Sequence, residues 1–125
     1  MLMVQPPNLT AFNEAIKQIA EAVYRAIESD KKNGQWSHAI LSVCFDRSGS
    51  SWISKIRVHT PHGINAAIKT SNDIELALIA LNAMRATIFE HEWFGLQVNV
   101  DAERHCKINL NYDPRCFEDK TFYDS

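Results

Sequence analysis

The sequence predicts an α+β domain, an antiparallel sheet of four to five strands packed with two main helices, in the order α-β-β-(β)-α-β-β. Three observations predict it. Two stretches carry apolar residues at spacings of three and four, the period of a helix with a buried face. Several short stretches alternate apolar and polar residues, the period of a half-buried strand. The strand stretches come in hairpin-like pairs, which favours antiparallel pairing with helices laid on the sheet. The 125 residues suit one domain, taken as residues 1–125.

The first helix follows Pro6-Pro7, with Asn8 or Thr10 able to accept orphan N–H groups as a cap. Phe12, Ile16, Ile19, Val23 and Ile27 form its apolar face, and Glu14, Lys17, Glu21, Arg25 and Glu28 its wet side. Asp30-Lys31-Lys32-Asn33-Gly34 supplies cations and then a glycine, as a helix exit prefers. Residues 36–46 read as a strand with Ala39, Leu41, Val43 and Phe45 on one face. Arg47-Ser48-Gly49-Ser50 is turn chemistry, and the alternation from Trp52 to His59 completes a hairpin. Pro61-His62-Gly63 makes a second turn before a short third strand over residues 64–69.

Thr70 with Asp73 has capping-box spacing at the start of the second helix. Ile74, Ala77, Leu78, Leu81, Met84 and Ile88 form its inner stripe. Leu76, Ile79 and Ala80 widen the stripe, which predicts burial on more than one side. Trp93-Phe94-Gly95 ends the helix, and Leu96, Val98 and Val100 alternate as a strand. Asp101-Ala102-Glu103-Arg104 turns into the last strand, where Cys106, Ile108, Leu110 and Tyr112 share the phase expected of core. Pro114 stops that strand, having no N–H for a ladder.

Composition narrows the function classes. The chain is 46% apolar and 22% charged, as globular proteins are. A formal charge of −2 speaks against a nucleic-acid binder, which shows a basic stripe. No apolar run is long enough for a transmembrane helix. Residues 1–7 lack the basic start and apolar stretch of a signal peptide. A cytoplasmic location is expected. The three cysteines are odd in number and show no close pair, and Cys44 and Cys106 read as small buried hydrophobes.

No motif carries catalysis. The four glycines are isolated, so no phosphate loop is formed. His91-Glu92-Trp93-Phe94-Gly95 begins like a zinc-protease helix but has glycine where the second histidine must stand. His105 and Cys106 point to opposite faces of a strand and do not share one ion easily. Pairing Cys44, Cys106 or Cys116 with His38, His59 or His62 lacks the electropositive setting of a reactive thiol. No cofactor, no metal and no enzymatic activity are therefore expected. Lys55, Arg57 and His59 share one hairpin face, which reads as a solvated surface.

The tail is the sharper signal. Asp113, Glu118, Asp119 and Asp124 lie among Phe117, Phe122 and Tyr123. A protein-binding surface wants both kinds of group, rings for desolvated area and charge for steering. These seven residues are the candidate partner-binding set. A small enzyme or ligand-binding domain using His59, His62 or Cys44 is the alternative, and a dimerisation module is a third reading.

The order of elements and the ending resemble the YezG-like immunity proteins, antitoxins paired with secreted polymorphic toxins in bacteria. The resemblance rests on the helix from Phe12 to Ile27, the strand opening Trp36-Ser37-His38-Ala39-Ile40-Leu41, the helix from Ile74 to Phe89, and the ending Ile108-Asn109-Leu110-Asn111-Tyr112-Asp113. This chain is less acidic than the typical member, and residues 114–125 have no positional match. The resemblance implies a protein that binds the C-terminal domain of a cognate toxin, a nuclease such as an EndoU-type RNase or a DNase, and blocks its active site or substrate groove. It implies contact-dependent growth inhibition or a related system, with no direct nucleic-acid or membrane partner. A homodimer stays open.

Overall fold

The computed structural model describes residues 9–29, 36–46, 48, 51–61, 65–83 and 93–118. Helix α1 spans Leu9–Ser29, followed by strands β1 (His38–Phe45), β2 (Trp52–His59) and β3 (Asn65–Ile68). Helix α2 (Asn72–Ala83) precedes β4 (Gly95–Asp101) and β5 (Cys106–Asn111), and a single 3-10 turn forms at Cys116–Glu118. The five strands make one antiparallel sheet in the order β3-β2-β1-β4-β5. This is the α+β architecture that the two periodicities predict. The α2 segment carries the chain from the β3 edge across to β4, beyond β1.

β1 is central because it is apolar on its inner face at every second residue. Ala39, Leu41, Val43 and Phe45 are all fully buried. Leu41 lies between Ile56 and Val98, and Ala39 between Val58 and Val100, so apolar rungs run across three strands. A slip of one residue would turn all of these toward the opposite face. The helices supply the other half of the core: Phe12, Ile19, Val23 and Ile27 from α1, and Ile74, Leu78 and Leu81 from α2. Trp93 closes one end, fully buried, with its ring edge-on to Phe12 at 6.4 Å and Phe45 at 5.7 Å.

Three expectations about these elements need correction. The cap of α2 is Ser71, whose Oγ accepts from Ile74 N–H at 3.3 Å, and not Thr70 with Asp73. Thr70 instead donates to Glu75 Oε1 at 2.8 Å. Burial of α2 on more than one side is also overturned, since Leu76 is 65% and Ile79 54% exposed and Ala80 is exposed too. α2 lies on one face of the sheet, and only the Ile74-Ala77-Leu78-Leu81 stripe meets it. Tyr112, expected in the core, is 48% exposed, and Cys106, expected there too, is exposed as well. Its side chain has the right phase, opposite Val100, but β5 is an edge strand and is covered on fewer sides. Met84, Ile88, His91 and Glu92 lie outside the described residues.

Candidate partner-binding face

The sheet face away from the helices starts from the residues out of phase with the core. On β1 these are His38, Ile40, Ser42 and Cys44, on β2 Ile53, Lys55, Arg57 and His59, and on β4 Gln97, Asn99 and Asp101. Register aligns His59, His38 and Asp101 in one rung across three strands. The His38 and His59 rings stack at 4.3 Å with planes 7° apart. Burial, then the neighbouring His38 and Arg57 charges, holds His59 below the ordinary histidine range.

Beyond His38 the rung meets the β4–β5 turn. Asp101 Oδ1 accepts the backbone N–H groups of Glu103 and His105, both at 2.9 Å. Its Oδ2 lies 3.0 Å from His105 Nδ1. The His105 backbone hydrogen bond, chiefly, holds the Asp101 carboxyl below its usual range. Asp101, Glu103 and His105 bring their ligand atoms within 4.8 Å of one another, a grouping of metal-ligating types on one exposed turn. The turn accounts for that approach without an ion. Arg104, at φ 72°, takes the left-handed position that three-residue hairpin loops use.

At the other end of β1 this face is covered. Cys44 is fully buried and Ser42 is 4% exposed, although both point away from the helices. The cover is the segment after β5. Asp113 carbonyl accepts from Cys116 N–H at 3.0 Å, Arg115 carbonyl from Glu118 N–H at 3.0 Å, and the turn drops Cys116 onto the sheet. A disulfide joins Cys44 to Cys116 across 72 residues, with Cα atoms 5.8 Å apart. Cys44 is buried as expected, but as half of a disulfide and not as a lone small hydrophobe. Spacing along the chain says nothing of a pair made by a returning tail. One signal was present: Cys44 is out of phase with Ala39, Leu41, Val43 and Phe45, so something other than the helices had to bury it.

The predicted binding set divides. Asp113 and Glu118 are exposed and Phe117 is half-buried beside the disulfide. Asp113 Oδ1 accepts from Arg115 N–H at 2.9 Å, with Arg115 Nε at 3.4 Å, while Asn111 Oδ1 accepts from Asp113 N–H at 2.8 Å. These bonds fix the course of the tail after Asn111. Asp119, Phe122, Tyr123 and Asp124 lie outside the described residues. Lys55, Arg57 and His59 sit on the same sheet face, each half-buried. The face therefore presents acids on the tail and cations on β2. No helix among the described residues is long and apolar enough to cross a membrane. No family model matches the chain, and no curated protein matches it.

Proposed function

We propose that the chain is an immunity protein of the YezG-like kind that binds a secreted nuclease toxin domain and blocks its substrate groove. The observation that carries this reading is the tail. Its described part, with Asp113, Phe117 and Glu118, packs on the sheet through the buried Cys116, on the same side as the half-buried polar residues of β2 and β4. A segment ordered before binding loses less conformational freedom on association, so its contacts convert more fully into affinity. A nuclease groove holds Lys and Arg for phosphates, and carboxylates such as Asp113 and Glu118 supply the replacement charges.

The reading assigns no catalytic residue to this chain. It places the protein in the cytoplasm, where a nuclease meets its substrate. Reducing conditions there keep the Cys44–Cys116 pair as packed thiols, and an oxidising compartment closes it. The test is co-expression with a nuclease toxin domain encoded beside this chain's gene, and a neighbourhood that holds no toxin gene would count against the reading. Growth restored by this chain, with the toxin domain recovered in a complex with it, is expected. Continued growth arrest with the chain folded and abundant would overturn the reading.

A further inference from the structure

β5 ends the sheet, so one side of its backbone has no strand partner among the described residues. The β4–β5 turn decides which groups face that side. Asp101 N–H donates to the His105 carbonyl at 3.1 Å, which makes 101 and 105 a hydrogen-bonded pair. Such pairs alternate along an antiparallel ladder. Lys107, Asn109 and Asn111 thus turn their backbone toward β4. Cys106, Ile108 and Leu110 turn their N–H and C=O outward. The side chains of the same three residues lie on the helix face, opposite Val100, Val98 and Leu96. Between β5 and α1 runs a groove of about 600 Å³ floored by Ile16, Ala20, Tyr24, Cys106 and Ile108, with Lys17 and Glu21 also lining it. The edge asks for an extended backbone, and the groove asks for apolar side chains on alternate residues of it.

We propose that a second copy of this chain fills both, pairing its own β5 antiparallel to this one about a two-fold axis at Ile108. β5 complements itself in that register. Ile108 faces Ile108, and Cys106 faces Leu110 of the second copy, so apolar groups meet on the helix face. On the opposite face Lys107 meets Asn109 of the second copy, so no like charges oppose. A lysine on an edge strand commonly deters pairing; here its ammonium stays on the solvated face. The two-fold runs the two α1 helices antiparallel along the merged groove, and Lys17 and Glu21, one turn apart, complement each other across it. The two five-stranded sheets become one of ten strands. The inference does not depend on the immunity reading.

Sedimentation of the pure wild-type chain over a concentration series tests it without any substitution. A reversible monomer–dimer equilibrium is expected, and a monomer at every concentration overturns the proposal, including the case where the edge serves a strand of another protein. Register is read by cross-linking. Hydrogen-bonded antiparallel partners have Cα atoms about 5.5 Å apart, within disulfide reach. Ile108→Cys in a Cys106→Ser background should give a disulfide-linked dimer under mild oxidation, while Asn109→Cys in the same background should not. A dimer in which Ile108→Cys fails to cross-link, or in which both variants cross-link equally, overturns the β5 register.

Discussion

The indole N–H of Trp52 donates to Glu75 Oε2 at 2.9 Å, tying the first residue of β2 to the first turn of α2. Ser54 and Thr70 donate to the other oxygen at 2.9 and 2.8 Å. One carboxylate thus docks the helix start against the hairpin and the connection leaving β3. Glu75→Ala leaves three donors without their acceptor, and a loss of about 1–3 kcal/mol is expected from hydrogen bonds to a charged group. Denaturant unfolding checks it. A midpoint equal to wild type would show that water replaces the carboxylate freely.

Leu81 is fully buried on the inner stripe of α2. Leu81→Ala should destabilise by roughly 2–5 kcal/mol, the range for truncating a buried leucine. Leu76→Ala, on the exposed side of the same helix, should change stability by about 0.5 kcal/mol or less. Equal losses for the two variants would contradict the one-sided packing.

The Cys44–Cys116 link closes a loop of 72 residues. Chain-entropy reasoning gives such a cross-link about 4 kcal/mol. Alkylation of oxidised protein in denaturant should label one thiol, Cys106, since Cys44 and Cys116 are joined. Cys116→Ser should lower stability in oxidising buffer and lose most of its penalty when wild type is compared under reductant. Three labelled thiols in the oxidised protein would remove the link.

His59 is held below its ordinary value by burial first, then by His38 and Arg57. Asp101 and His105 continue the rung on the far side of His38. A histidine depressed in the folded state takes up its proton later than in the unfolded chain as pH falls. Its effect on stability is absent above the unfolded value of about 6.5 and becomes a growing loss from there down through the folded value. His38→Asn should raise the His59 midpoint part of the way, because desolvation remains. An NMR titration of the ring protons reads this, and an unmoved midpoint would show that the stacked pair is not electrostatically coupled.

The fold was legible where periodicity and burial coincide. Phe12, Ile19, Val23 and Ile27, and Ala39, Leu41, Val43 and Phe45, are buried as their spacing predicts. Phase alone misled at edges. Cys106 alternates correctly yet lies on an edge strand, and Leu76 and Ile79 are apolar yet face outward. Residue type cannot report how many neighbours an element has. The candidate face was half legible: the tail's composition marks it, and Asp113 and Glu118 are exposed there. The bond from Cys116 to Cys44, and the Glu75 anchor, depend on contacts between distant segments that no local pattern encodes.

The tail and its sheet face are proposed to bind a toxin domain through complementary charge. Association kinetics of the full chain with the proposed toxin domain, measured over a range of salt, test it most directly. A saturable complex is expected whose association rate falls with salt, with slower, flatter association after Glu118→Gln, Asp119→Asn and Asp124→Asn together and dissociation little changed. Phe117→Ala, truncating a half-buried ring beside Cys116, should instead speed dissociation by about thirtyfold or more if that ring is an anchoring hot spot. No complex, or rates untouched by removing the tail acids, would contradict the account.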